Sequence, residues 1–290
     1  MIDFHLHSTA SDGYLAPREL ANYLLLSGVT TFALTDHDSI GGNAEICQAA
    51  TELGLTCISG IELSCLLGES TIHLLGYFQE PEPTVLRERL TEIQRWRAER
   101  NPRIIEKLQT LGFPITLELA QAESTDGGQL GRPHIARALL KLKAVKTQDE
   151  AFSKYLGNGK AAYVEKDRLQ LPDAVKLVHE AGGVAILAHP MIYKDLVTKA
   201  SLTRFIQKVI ETGIDGIEAH YPEHSIPDRV RIEKECLARN LLVTGGSDFH
   251  GPVNGYLQPG KGMGDLKVPD SILKPLLDRI AERYAARTVT

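Results

Sequence analysis

The chain has 290 residues, room for one large domain or two smaller ones, with 43% apolar and 24% charged residues, ordinary values for a soluble globular protein. A net charge of −5 and a pI near 6.1 argue against a dedicated duplex-binding surface and leave room only for a local basic patch. No apolar run approaches the ~20 residues that cross a bilayer, no secretory signal opens the chain, and Cys47, Cys57, Cys65 and Cys236 lack CxxC spacing, so reduced thiols and a cytoplasmic location are expected.

In chain order, a short strand ends in His5 and His7, with Asp12 following. Alternate strand residues share a face, so the two imidazoles project side by side. Pro17 opens a helix that Gly28 stops, and Thr31–Thr35 reads as a buried strand ending in Asp36-His37-Asp38. A second helix spans 41–54, a third strand within 55–63 delivers Glu62, and a fourth, Thr71–Phe78, carries His73. This spacing of strand and helix is the βαβ signature of a parallel sheet.

The rhythm breaks over residues 81–163, which contain no convincing strand. A long helix is expected from Thr84 to about Leu111, with shorter ones near 117–123 and 133–142 and a bend at Asn101-Pro102. The rhythm resumes with a helix over 171–181 and the strand Val184–Ala188, closed by His189. A helix over 202–212 leads to the strand Gly216–Ala219 and His220. A helix over 226–240 then leads to the strand Leu241–Thr244, which runs into Gly245-Gly246-Ser247-Asp248-Phe249-His250. A glycine-rich loop, 251–264, precedes a last helix from about Pro269.

About seven strands result, most of them ending in His, Asp or Glu, the place where α/β barrels keep their chemistry. Collecting these residues gives His5, His7, Asp12, His37, Glu62, His73, His189, Asp248 and His250. A catalytic zinc takes about three protein ligands, so nine donors point to a multinuclear centre with a bridging carboxylate, for which Glu62 is the candidate. Imidazole with carboxylate suits manganese, iron and zinc alike. His220 reads as a residue behind the centre or facing substrate, His179 as structural, and His224 as a loop residue.

With these motifs in hand, the chain resembles the polymerase and histidinol phosphatase (PHP) family of metal-dependent phosphoesterases. The resemblance rests on Asp3-Phe4-His5-Leu6-His7-Ser8 with Ser11-Asp12-Gly13, on Thr35-Asp36-His37-Asp38, and on Gly60-Ile61-Glu62. It continues through His73-Leu74-Leu75-Gly76, Ala188-His189-Pro190 and Gly246-Ser247-Asp248-Phe249-His250. It implies an α/β fold, a distorted (β/α)7 barrel, built from residues 1–80 and 164–290 around a helical substrate cap at 81–163. It implies two to three divalent ions, manganese first. His5, His7, Glu62 and Asp248 would hold one, Glu62 with His73 and His189 a second, and Asp12, His37 and His250 a third. Glu62, Asp248 and His250 would be the catalytic set.

Within the family, Arg100-Asn101-Pro102-Arg103 and Gly131-Arg132-Pro133-His134 look like the substrate grip of the branch acting on nucleoside 3′,5′-bisphosphates and on 5′ ends of short RNA. Arg100, Asn101, Arg103, Arg132 and His134 would then bind substrate, since guanidinium forks suit phosphate. The implied partner is a nucleotide phosphate or short RNA, with no membrane and no stable protein partner. Histidinol phosphatase is the alternative within the family. An amidohydrolase is disfavoured because no strand-end lysine is present to bridge two metals, and a non-catalytic metal- or RNA-binding module because the donor set is complete.

Overall fold

The structure is a computed structural model that describes residues 1–124, 130–165, 168–193, 197, 201–252 and 257–287. Its elements run β1 (Ile2–Asp3), α1 (Pro17–Ser27), β2 (Thr31–Leu34), α2 (Asn43–Leu53), β3 (Thr56–Leu67) and β4 (Ser70–Phe78). Then come α3 (Thr84–Thr110), α4 (Leu117–Gln121), α5 (Arg132–Lys141), α6 (Gln148–Ala151), β5 (Leu169–Gln170) and α7 (Leu171–Glu180). The chain finishes with β6 (Val184–Leu187), α8 (Leu202–Ile210), β7 (Gly216–His220), α9 (Ile226–Ala238), β8 (Leu242–Gly245) and α10 (Leu273–Arg287).

The sheet runs β1-β2-β3-β4-β6-β7-β8, with the short β5 beside β3. Most pairs are parallel, as expected, but β4 is antiparallel to both β3 and β6. The cause is local: only Gly68 and Glu69 separate β3 from β4, with Gly68 at φ 67°, and so short a connection forms a hairpin and cannot hold a crossover helix. The two ends of the sheet meet. Phe4 N–H donates to Gly245 C=O at 3.1 Å, Asp248 N–H to His5 C=O at 2.9 Å and His7 N–H to Phe249 C=O at 3.0 Å. Gly246 permits this approach, because a Cβ there would lie 2.4 Å from the backbone nitrogen of His5.

Apolar side chains on the two faces of the strands enter different clusters. Leu74, Leu187 and Ile217 pack with α7, α8 and α9, whereas Leu75, Tyr77, Val184 and Ile186 pack with Leu276 and Ile280 of α10. Helix α10 covers the end where the parallel strands begin. Its Arg283 reaches Asp215, just before β7, and its Arg287 reaches the carbonyl of Ala181, just before β6. The opposite end is left for the strand-end donors. Between β4 and β5 the chain builds a further cluster, with Ile104, Leu108, Ile135, Leu139 and Leu156 at its centre.

The long helix expected from Thr84 to about Leu111 is present as α3, and it continues through Pro102. Burial of Arg97, Arg100, Asn101, Ile104 and Leu108 along one face holds it together across the residue that would otherwise end it. Contrary to the expected reduced thiols, Cys47 and Cys57 form a disulfide, their Cα atoms 5.2 Å apart where α2 packs against the start of β3, while Cys65 and Cys236 are buried. The last helix begins at Leu273, after a 3₁₀ turn at Asp270–Ile272. Residues 253–256 of the glycine-rich loop lie outside the described residues. Among the described residues, no helix is long and apolar enough to cross a membrane.

Candidate metal centre

All nine strand-end donors converge at the open end of the sheet. Beyond β1 the chain stays extended, held on one side by Thr35 N–H donating to Leu6 C=O at 2.9 Å and on the other by the β8 segment. His5 and His7 therefore point the same way, with ring centroids 5.2 Å apart. Two further donors sit on strained backbone: His189 at φ 28° and Asp248 at φ 55°, values rare for residues other than glycine and concentrated at functional sites.

Glu62 lies at the middle, 1% exposed. Its Oε2 is 3.2 Å from His5 Nε2, 3.3 Å from His7 Nε2 and 3.0 Å from His37 Nδ1. Its Oε1 is 2.8 Å from His73 Nδ1 and 3.0 Å from His189 Nε2. Asp248 Oδ1 stands 3.4 Å from His5 Nε2 and 3.0 Å from His7 Nε2. Asp12 lies 3.4 Å from His250 Nε2 and 3.9 Å from both His37 Nε2 and His7 Nδ1. Three groups of donors fall within 4.8 Å of one another: His5, His7, Glu62 and Asp248; His7, Asp12, His37 and His250; and His37, Glu62 and His73. The first is the expected set. The other two draw in His7 and His37 beside the expected residues, and His189 meets the cluster through Glu62.

The donor set fits metal ions. His5 Nε2, both nitrogens of His7, His37 Nδ1, His73 Nδ1, Glu62 Oε2 and Asp248 Oδ1 are buried and make no hydrogen bond. Orphaned donors and acceptors at this density would each cost about 1–3 kcal/mol without a partner. The carboxylates stay ionised. Burial pushes Glu62 up, but the imidazoles of His37, His73 and His5 hold it well below the usual carboxylate range. Against the same burial, His37 and His250 hold Asp12 low, and His5, His7 and His250 hold Asp248 low.

A layer behind the donors aims them. His5 Nδ1 lies 3.0 Å from Glu218 Oε1, and Glu218 Oε2 accepts the His189 backbone N–H at 2.8 Å. Tyr221 donates its hydroxyl proton to Asp248 Oδ2 at 3.0 Å. Asp3 accepts from Ser247 and from the backbone N–H groups of His5 and Gly260, while Asp36 accepts from Ser8 and Ser11. Neither Glu218 nor Tyr221 is singled out by the sequence reading. A usable signal for Glu218 exists, because an acid within the wholly buried strand Gly216–His220 must have a partner. His220 faces Glu233 at 3.0 Å, His179 faces Asp215 at 2.8 Å, and His224 Nδ1 lies 2.9 Å from the Ala219 carbonyl oxygen, so all three are held away from the centre.

One cavity joins this centre to the helical segment. Its walls include Asp12, His37 and His73 on one side and Arg97, Arg100, Arg132, His134 and Arg168 on the other. Burial, then the charges of Arg97, Arg132 and Arg168, pushes the Arg100 guanidinium down to about 9, and burial with Arg168 pushes Arg132 down to about 10. Both remain cationic at neutral pH. Burial lowers His134 to about 4; its Nδ1 accepts the Gly131 N–H at 2.9 Å, which leaves Nε2 as its donor. Asn101 is buried and turned elsewhere, giving its amide proton to Leu130 C=O at 2.8 Å while its Oδ1 accepts from Arg100 at 3.0 Å. Arg103 is exposed on the outer face of α3 and does not line the cavity, which corrects its place in the expected grip. Each residue steps about 100° round the helix, so Arg103, two steps from the buried Asn101, is carried outward. Arg97 and Arg168, which the sequence reading passes over, take part in its place. Arg97 is held by Asp38, and Arg168 Nη1 by Glu165 at 2.9 Å.

Comparison with known proteins agrees with this geometry. The PHP domain model matches residues 3–181. A 5′-3′ exoribonuclease of Haemophilus influenzae is 34% identical over 275 residues, 93% of this chain and 96% of that one. A 3′,5′-nucleoside bisphosphate phosphatase of Chromobacterium violaceum is 32% identical and aligned over 97% of both chains. A solved structure from Bifidobacterium adolescentis, assigned as a metal-dependent phosphoesterase, superposes with a TM-score of 0.83 at 28% identity over 96% of each chain.

Proposed function

Because the chain belongs to the PHP family of metal-dependent phosphoesterases and is a hydrolase of phosphoester bonds, we propose that its substrates are nucleoside 3′,5′-bisphosphates, cleaved to nucleoside 5′-monophosphates, or the 5′ ends of short RNA. The observation that carries this reading is one cavity with Asp12, His37 and His73 of the donor cluster on one side and the guanidiniums of Arg97, Arg100, Arg132 and Arg168 on the other. A phosphomonoester with one phosphate needs only the cluster; four guanidiniums beyond it suit a second phosphate. In this reading residues 81–163 are the substrate cap, and the enzyme acts in the cytoplasm, where nucleotides are found.

His5, His7, Glu62 and Asp248 would hold one ion, Glu62 with His73, His37 and His189 a second, and Asp12, His37, His7 and His250 a third, manganese among them. Divalent ions there supply Lewis acidity, lowering the pKa of water toward neutrality and offsetting charge on phosphoryl oxygens. With an ion bound, Glu218 would accept from His5 Nδ1–H at 3.0 Å and leave Nε2 as the ligating nitrogen, and the Asp248 carbonyl oxygen, 2.9 Å from His250 Nδ1, would do the same for His250. Arg100, Arg132 and the Nε2 proton of His134 would bind the non-reacting phosphate, with Arg97 and Arg168 beside them. Asn101 would act on Arg100 rather than on substrate.

The test, with manganese added, is release of phosphate from adenosine 3′,5′-bisphosphate, AMP and histidinol phosphate, and of nucleoside 5′-monophosphate from a 5′-phosphorylated oligoribonucleotide. The bisphosphate or the oligonucleotide should exceed AMP and histidinol phosphate by at least tenfold in kcat/KM. Preference for histidinol phosphate would overturn the reading in favour of another phosphatase of the family.

A further inference from the structure

The cavity wall formed by the helical segment carries Arg97, Arg100, Arg132 and His134 beside Gly131, Pro133 and Phe152. Among the described residues lining it, Phe152 contributes the one phenyl ring. Phe152 begins a single π-helical turn, Phe152–Leu156, directly after α6, and such turns occur frequently at functional sites. The ring is half-buried: part of it packs on the apolar cluster of the helical segment, and part remains on the cavity.

The same turn fixes a phosphate-gripping residue. Arg132 Nη1 donates to the Leu156 carbonyl oxygen at 2.9 Å. The Arg132 guanidinium carbon stands 6.0 Å from the Phe152 ring centroid and 5.7 Å from that of Tyr163. The position of the phenyl ring relative to the guanidinium is therefore set by one piece of backbone and two aromatic contacts. A bound molecule with one phosphate at the donor cluster and another at the arginines must place its remaining bulk against a wall of the same cavity. Phe152, with Pro133 nearby, is where that wall is apolar.

We propose that Phe152 is the platform for the nucleobase of the substrate, a base subsite that tolerates any of the bases because each has a π-face. This rests on the nucleotide reading of the site and adds to it the residue that tells a nucleotide from a sugar bisphosphate. Stacking on one aromatic ring is worth about 5- to 150-fold in affinity.

The experiment is calorimetric binding to the full chain without added metal, so that no turnover intrudes. The ligands are adenosine 3′,5′-bisphosphate and the same compound lacking its base, and the proteins are the wild type, Phe152→Leu and Phe152→Trp. Leucine keeps the apolar packing of the turn but has no π-face. The wild type should bind the adenosine ligand at least fivefold more tightly than the abasic one. Phe152→Leu should erase that preference with abasic binding unchanged, and Phe152→Trp should retain it. A preference surviving in Phe152→Leu, equal loss for both ligands, or no preference in the wild type overturns the proposal. Failure of the nucleotide reading is seen separately, as absent phosphate release from adenosine 3′,5′-bisphosphate by the manganese-loaded wild type.

Discussion

His5 Nδ1 lies 3.0 Å from Glu218 Oε1, both side chains buried, so that the Nε2 of His5 is the nitrogen turned toward Glu62 and Asp248. A carboxylate in this position raises the basicity of the imidazole and fixes its orientation, and removal of such a partner weakens metal binding by about 10- to 100-fold. Glu218→Gln places an amide where Glu218 now accepts both from His5 and from the His189 N–H. We expect a loss of manganese affinity in that range, measured by competition with a chelating dye, with the fold retained by circular dichroism. Unchanged affinity would remove Glu218 from the account.

Glu62 touches five imidazoles at 2.8–3.3 Å. No other described carboxylate stands where it could take over both of its oxygens' roles. Glu62→Gln should therefore reduce phosphate release from a generic aryl phosphate to background and lower the metal content per chain. Retained turnover would show that the cluster is not the reacting centre.

The arginines are separable by kinetics. Hydrogen bonds to charged groups contribute roughly 1.5–3 kcal/mol, about 10- to 150-fold. Arg132→Ala and Arg100→Ala should raise KM for a nucleoside bisphosphate within this range, with a much smaller effect on kcat. Arg103→Ala, outside the cavity, should leave both constants within twofold. An inert Arg132→Ala would end the gripping role.

Far from the site, Asp215 binds the end of the barrel that α10 covers. Burial pushes its carboxyl up, but the hydrogen bond from His179, the Ala185 N–H and Arg283 hold it at about 2 against an ordinary 3.8. A folded-state value below the unfolded one stabilises the protein above the ordinary carboxylate range, and the gain is lost as pH falls toward 2. Asp215→Asn should cost about 2 kcal/mol near neutrality, and the gap from wild type in denaturant melts should narrow between about pH 4 and pH 2. A gap that stays constant down to pH 2 would show that the ion pairs do not stabilise the fold.

Much of this site is legible in the sequence because its donors sit within or just past buried apolar strands, where polar residues stand out. His5, His7, Glu62, His73, His189 and Asp248 are all of this kind, and their motifs occur in a recognisable order. What lies behind them is less visible. Glu218 shares its strand with His220, and alternation puts the two on one face; the pairing of β7 with β8 shifts register between them, and Glu218 meets His5 whereas His220 meets Glu233. Arg97 is hidden in a helix where charges of both signs alternate, and only its burial against Asp38 sets it apart. The direction of β4 is not encoded in periodicity, which is the same for parallel and antiparallel strands; it follows from the short turn at Gly68. The pairing of Cys47 with Cys57 depends on how α2 meets β3, and the spacing of the cysteines does not reveal it.

The measurement that bears most directly on the central claim is metal content and turnover on the same sample. Protein stripped with chelator should release no phosphate from adenosine 3′,5′-bisphosphate. Adding manganese should restore release in step with two to three ions bound per chain by elemental mass spectrometry. Full activity in the stripped protein, or two to three bound ions with no hydrolysis of that bisphosphate, AMP, histidinol phosphate or a 5′-phosphorylated oligoribonucleotide, would contradict the account.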